Sequence, residues 1–410
     1  MPDLLTIIYL IYSFIAFYFF FLFSLIYARN RKNIFSAPKL TKNYSLSMVV
    51  PCYNGEETIG ETIQALLDSD YSGLKKIIIV DDCSTDSSYE IIKKYVAKYR
   101  KVMAVKTPKN TGKASGAKNY GAKFVNTELI GFTDADSYPQ KDAIRKMIGF
   151  FDNKKIGATT SSVLVTKREK FIEKLQAIEY KIIVFTRKLL GFVDAIYVTP
   201  GPLVIYRKKA FDEVEGFDEN NLTEDIEITW HLVSKGYKIG MSVPSRVYTV
   251  APDKFRGWYR QRVRWNVGGI QTINKYKKTF LGVGMLGTFI LPFFVSSWIL
   301  GITGIFVLAY RVSQRIIVHY LSTTYSIGAQ TAVLTLREIN LTPNVLMFFG
   351  TAILILTLSF TFIALSHSRE KEFKKPGIFS ILTYTFVYLL AYPLILVTSI
   401  FTFIKGKKFW

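Results

Sequence analysis

The chain has 410 residues, 53 Lys and Arg against 31 Asp and Glu, a net charge of +22, and a composition that is 50% hydrophobic and 15% aromatic. Two cysteines and three histidines without paired spacing exclude a disulfide framework and argue against zinc. No basic-aromatic module stands apart from the other patterns, which argues against nucleic acid, and the charge fits membrane topology and anionic headgroups first.

Residues 4–28 carry no charged side chain, and neither do 279–310, 341–368 and 376–404. Each run exceeds the roughly 20 apolar residues needed to cross a bilayer. The first run is too long for a cleaved signal peptide, lacks a basic leader, and is followed by Arg29, Arg31 and Lys32 as a stop-transfer flank. The expected organisation is therefore an N-terminal span in 1–28, a soluble domain in 29–278, and a membrane domain in 279–410 with spans near 279–310, 341–368 and 376–404. Basic residues on both flanks of the soluble domain, including Lys39, Lys42, Lys275, Lys277 and Lys278, place it in the cytoplasm of a multi-pass plasma-membrane protein.

The soluble part alternates strand and helix. Strands are expected at Ser45 to Val50, Lys76 to Val80, Val102 to Lys106 and Leu129 to Thr133, with helices at Glu56 to Leu67, Ser87 to Tyr99 and Lys113 to Phe124. Such a series implies an α/β fold with a mostly parallel, right-handed sheet, whose ligands bind outside the carboxyl ends of the strands. Cys52 and Cys83 sit at strand ends and read as small packing residues.

Polar clusters fall at those ends. Pro51-Cys52-Tyr53-Asn54 follows the first strand, Asp81-Asp82-Cys83-Ser84 the second and Asp134-Ala135-Asp136 the fourth. Any one alone reads as a turn or helix cap; three on one sheet edge point to a site. Asp134 and Asp136 offer hard oxygens at a bend, suited to Mg²⁺ or Mn²⁺ and open to phosphate oxygens. Lys113 and Asn119 open the next helix near the same edge, as nucleotide contacts or as a solvated helix start. Thr223-Glu224-Asp225 starts a later helix, where a carboxylate is either a dipole-stabilising cap or a general base. Gln261-Arg262-Val263-Arg264-Trp265 lies within residues 254–276, which alternate basic and aromatic side chains like an interfacial helix.

These five motifs, in this order and spacing, resemble the family 2 glycosyltransferases with a GT-A fold, and more closely the membrane-embedded synthases of hyaluronan, cellulose and poly-N-acetylglucosamine. The likeness covers roughly residues 45–270. It implies that Asp82, with Asp81 beside it, recognises the uracil of a UDP-sugar, that Pro51 and Tyr53 line the base pocket, and that Lys113 lies near the nucleotide. It implies a metal-diphosphate motif at Asp134 and Asp136, with Asp136 the direct ligand, a catalytic base at Asp225 with Glu224 its neighbour, and an acceptor segment at Thr199-Pro200-Gly201-Pro202. Gln261, Arg262 and Arg264 would meet the pyrophosphate, and Trp265 would stack on the acceptor sugar. Gly55 and Lys118 depart from the pattern, standing where many members have a glutamate and an apolar residue.

The resemblance implies an inverting, metal-dependent transfer from a UDP-sugar to a growing β-linked polysaccharide, coupled to export. Two alternatives stay open: a single transfer to a lipid or polyprenyl phosphate, and a transporter or scaffold with a degenerate nucleotide-binding domain. The expected partners are the donor, a polysaccharide or glycolipid acceptor, the bilayer, and a homo-oligomer or accessory subunit. Four spans leave the basic tail Lys405-Gly406-Lys407-Lys408 outside, against the charge rule, so residues 316–336 are read as interfacial or re-entrant, with a fifth crossing as the alternative.

Overall fold

The protein is described from a computed structural model covering residues 4–282, 284–329, 345–367, 370 and 376–406. Eight strands form one sheet: β1 (Leu46–Cys52), β2 (Leu74–Asp81), β3 (Val102–Lys106), β4 (Leu129–Phe132), β5 (Ser137–Pro139), β6 (Ile156–Val165), β7 (Val204–Arg207) and β8 (Lys238–Thr249), in spatial order β3-β2-β1-β4-β7-β6-β8-β5. The soluble helices are α2 (Ile59–Leu67), α3 (Ser88–Lys98), α4 (Ala114–Ala122), α5 (Arg145–Ile148), α6 (Phe171–Gly191), α7 (Lys208–Glu213), α8 (Glu224–Ser234) and α9 (Phe255–Tyr276). The apolar helices are α1 (Leu4–Asn30) at the start of the chain and α10 (Leu291–Gly328), α11 (Val345–Ser366), α12 (Ile378–Thr383) and α13 (Leu389–Ile404) towards its end.

The parallel half, β3-β2-β1-β4, follows the expected strand and helix series. Every residue of β1 is buried, because helices cover both faces of a parallel sheet. Helix α4 lies close on this layer: a Cβ at Gly121 would stand 2.5 Å from Val49 and 2.6 Å from Val80. The second half is mixed, since β7 runs antiparallel to both β4 and β6 while β6 and β8 are parallel.

Three helix starts differ from expectation, α3 by one residue at Ser88 and the other two for polar reasons. Helix α2 begins at Ile59 because Glu56 is engaged in the preceding loop, its N–H donating to Asp86 Oδ2 (3.1 Å) and its carboxylate accepting from Ser87 N (2.9 Å). Helix α4 begins at Ala114, with Lys113 extended and its Nζ donating to Glu219 O at 2.8 Å.

Among the described residues, four helices are long and apolar enough to cross a membrane: Thr6–Asn33, Leu286–Gly328, Phe348–Ser366 and Ile378–Ile404. Residues 316–328, read from sequence as a separate interfacial or re-entrant segment, instead continue α10. Neither Pro nor Gly interrupts the chain between 305 and 327, so nothing in the backbone ends the helix there. With the π-helical turn Leu286–Ile290 that leads into it, the continuous helix Leu286–Gly328 has 43 residues and is about 65 Å long, roughly twice the hydrocarbon thickness. Residues 330–336, 371–375, Lys407 and Lys408 lie outside the described residues.

Candidate active site

The first two strand ends are knitted by their own loops. Asn54, at φ 49°, accepts from Thr85 N through Oδ1 (2.8 Å), Asn54 N donates to Ser84 Oγ (3.1 Å), and Gly55 N donates to Ser88 Oγ (2.8 Å). Pro51 is buried in β1, whereas the Tyr53 ring is 55% exposed above the loop. Asp82 accepts from Thr107 Oγ1 (2.7 Å), Thr111 N (3.0 Å) and Thr111 Oγ1 (2.8 Å), and so holds residues 107–111 in place. Asp81 is fully buried, yet its Oδ2 has no hydrogen-bond donor and only Lys106 Nζ at 3.7 Å. A buried carboxylate oxygen without a donor is costly unless something donates to it.

Beyond Lys113, Asn119 fixes the turn at 216–219. Its Nδ2 donates to Phe217 O (2.8 Å) and Glu219 Oε1 (2.9 Å), and its Oδ1 accepts from Phe217 N (2.9 Å). One helical position earlier, Lys118 is buried with its Nζ 3.0 Å from Glu224 Oε1 and 3.2 Å from Asp134 Oδ1. Burial disfavours the ammonium, but Asp134 and then Glu224 outweigh it and keep Lys118 charged. This lysine is the contact that brings the D-A-D turn and the Thr-Glu-Asp helix start together.

Asp136 is pushed up to about 6, first by burial and then by Asp134, although Ser137 Oγ donates to it at 3.2 Å. Gly201 lies against the turn, and a Cβ there would stand 2.7 Å from Asp134 Oδ2. The two carboxylates suit a hard divalent cation in an open site, which would also ease the cost of ionising Asp136. Among the described residues no group of three or more His, Cys, Asp or Glu offers a closed metal cage.

At the start of α8, burial opposes ionisation of Glu224, but Lys118 outweighs it and holds this carboxyl below its ordinary range. Asp225 moves the other way, raised by burial and then by the Glu224 charge, with Lys118 and Arg264 pulling it back. Its Oδ1 accepts from Ile226 N at 2.9 Å, and its carbonyl accepts from Thr229 Oγ1 at 2.6 Å. A carboxylate with a raised pKa at a helix start is a competent proton acceptor near neutrality.

Helix α9 sets this start. A Cβ at Gly268 would stand 2.1 Å from Thr223 Oγ1, and Gln271 Oε1 accepts from Leu222 N (2.9 Å). Thr272 Oγ1 accepts from Asn221 Nδ2 (2.9 Å), and Lys275 Nζ reaches Glu227 (2.6 Å) and Asp218 (2.7 Å). Arg264 Nη1 donates to Leu222 O at 3.2 Å, so the motif's second arginine lies beside the acids. Arg262 does not join them. It is 1% exposed, paired with Glu179, donating through Nε to Tyr392 Oη (2.9 Å), through Nη1 to Gln261 Oε1 (2.5 Å) and through Nη2 to Tyr388 Oη (3.3 Å). Its guanidinium lies 4.0 Å from the Trp265 ring centroid, and Trp265 packs on the same apolar cluster as Ala135 of the D-A-D turn.

Thus Asp134, Asp136, Gly201, Glu224, Asp225 and Arg264 gather with Lys118, while Arg262, with Gln261 bonded to it, turns towards α6 and the last apolar helix. Nothing in the sequence marks Glu179. The signal at Lys118 is a lysine on the small-residue face of α4, among buried Ser115, Ala117, Gly121 and Ala122.

Residues 47–215 match the model of glycosyl transferase family 2. The chain resembles that family over this segment, which is less than half of its length. It is similar to poly-β-1,6-N-acetyl-D-glucosamine synthases, 30% identical over 258 residues to the Staphylococcus aureus (strain COL) protein and 31% over 250 residues to that of Staphylococcus epidermidis. The first match takes in 62% of this chain and 61% of its relative's length. The fold is that of a mannosyltransferase from Pyrobaculum calidifontis solved with GDP-mannose and Mn²⁺, at TM-score 0.61 and 17% identity over 99% of this chain and 100% of that one. The matched segment thus takes in β1 to β7, and the acids of α8 and the motif of α9 follow it in the chain.

Proposed function

We propose that this chain is an inverting glycosyltransferase that moves N-acetylglucosamine from UDP-N-acetylglucosamine to a growing β-linked polysaccharide at the cytosolic face of the cell membrane. The observation that carries the reading is the convergence of Asp134, Glu224, Asp225 and Arg264 around Lys118 at one sheet edge. The sugar assignment rests on the N-acetylglucosamine polymer named for the staphylococcal relatives.

In this reading Asp81 Oδ2 takes an N–H of the base, and Asp225 takes the proton of an acceptor hydroxyl. The acceptor oxygen attacks the anomeric carbon in line and UDP leaves, so one displacement inverts the configuration. Arg264 faces the negative charge that builds on the diphosphate. A divalent cation held by Asp134 and Asp136 would supply further charge stabilisation there. Residues 1–28 and 279–410 would embed the enzyme, and the cytosolic domain between them would pass its product outward.

Transfer of a single sugar to a lipid phosphate is the second reading, and one residue favours it. Arg187 of α6 is 6% exposed, its Nε and Nη1 have no hydrogen-bond partner, and it feels the charge of Asp225. A buried guanidinium with two unpartnered nitrogens suits an anionic acceptor. The test is UDP release by the purified full-length chain with a panel of UDP-sugars and Mg²⁺ or Mn²⁺. Release with UDP-N-acetylglucosamine is expected, and absence of release with every donor would remove the enzyme reading.

A further inference from the structure

Lys118 has no part in the chemistry just described, yet it is the most constrained charge at the site. Its side chain is 3% exposed, clamped between Asp134 Oδ1 (3.2 Å) and Glu224 Oε1 (3.0 Å), with the Phe217 ring centroid 5.6 Å away. The helix that carries it cannot retreat, because Gly121 lies against Val49 and Val80 and Asn119 is fastened to the 216–219 turn. An ammonium held this way takes up one oxygen of the first D-A-D carboxylate and stands as a fixed positive charge beside it.

We propose that Lys118 is an internal counter-cation that competes with a divalent metal for Asp134. It leaves Asp136 and the donor's diphosphate as the main metal ligands and couples Asp134 to Glu224. The inference rests on the D-A-D metal reading. A cation approaching Asp134 meets both a shared carboxylate and like-charge repulsion, and the burial of Lys118 limits screening of its charge by salt. Lys118 is thus a positioning residue that tunes how firmly the empty enzyme holds metal before the nucleotide arrives.

The test is Mn²⁺ binding without nucleotide, followed by the electron paramagnetic resonance signal of free Mn²⁺, on the full-length chain in detergent. Lys118→Met is expected to bind Mn²⁺ about tenfold more tightly than the wild type, and Lys118→Arg to bind like the wild type. Because Lys118→Met strands Glu224, the paired variant Lys118→Met/Glu224→Gln keeps the comparison open should the single variant fold poorly; the same tightening is expected. A lysine that only supported the fold would loosen the site when removed, so equal or weaker Mn²⁺ binding by these variants overturns the inference. Mn²⁺ left free by wild type and variants alike would overturn the metal reading itself, and the inference with it.

Discussion

Glu179 and Arg262 form a buried ion pair, 5% and 1% exposed, that fastens α9 to α6. Tyr388 donates to Glu179 at 2.6 Å and also accepts from Trp258 Nε1 at 2.5 Å, while Tyr392 bonds both members of the pair. The last apolar helix, the motif helix and α6 therefore meet at one polar knot. Removing either charge alone leaves the other buried and unpaired, so Glu179→Ala and Arg262→Ala should each cost about 3–5 kcal/mol. The double variant should lose clearly less than the sum. Denaturant unfolding in detergent measures the cycle, and strictly additive losses would contradict the knot.

Asp225 is expected to show itself in pH dependence. Because burial and Glu224 raise its pKa, it is ionised only above a point higher than the ordinary aspartate value, and turnover should fall as pH drops through that point. Glu224→Gln removes a raising charge, so the acid limb of the turnover profile should move to lower pH. Asp225→Asn should keep donor affinity and lose turnover by roughly 10² to 10⁴. An acid limb unmoved in Glu224→Gln, or wild-type turnover in Asp225→Asn, would deny Asp225 the base role.

Asp136 carries a stability consequence in metal-free protein. Its folded pKa of about 6 lies above the ordinary 3.8, so the folded state binds the extra proton between those values and the wild type loses stability as pH rises through them. Asp136→Asn, which avoids ionisation, should therefore be more stable by roughly 1–3 kcal/mol above pH 6. That advantage should vanish below the ordinary value. Thermal melts in EDTA across this range measure it, and an advantage independent of pH would contradict the assignment.

Two glycines act through the site residues they touch, Gly201 through Asp134 and Gly268 through Thr223. Gly201→Ala places a Cβ 2.7 Å from Asp134 Oδ2, and Gly268→Ala places one 2.1 Å from Thr223 Oγ1 and 2.7 Å from Thr223 N. The first should reduce turnover by displacing one carboxylate while costing little stability. The second meets backbone and should lower both, by about 1–3 kcal/mol in stability. Melting temperature and UDP release on each variant separate the two effects, and a Gly201→Ala enzyme with unchanged turnover would argue against the Asp134 contact.

The parallel half of the domain was legible because β1 and β2 read as short apolar runs that each end in a polar cluster, and hydrogen bonding put those ends on one edge. The reversal at β7 was not, since strand direction depends on the return path through α6 and no local residue pattern encodes it. The site was legible as residue types and not as pairings. Arg262 has the chemistry of a phosphate ligand, and only the fold reveals Glu179, 83 residues away, as its partner. Lys118 looked like a departure from pattern until Asp134 and Glu224 were found on either side of it. The length of α10 was not legible because the uncharged run stops at residue 310, whereas a helix ends where its backbone bonds do, here at Gly328.

The central claim is that the acids gathered at the sheet edge build a polymer from UDP-N-acetylglucosamine. It is tested most directly by incubating the purified full-length chain in lipid nanodiscs with labelled UDP-N-acetylglucosamine and Mg²⁺ or Mn²⁺, then sizing the product and determining its linkage. The account predicts β-linked chains of many sugars, absent in Asp225→Asn. A product carrying one added sugar on lipid, or no transfer from this donor, would contradict it.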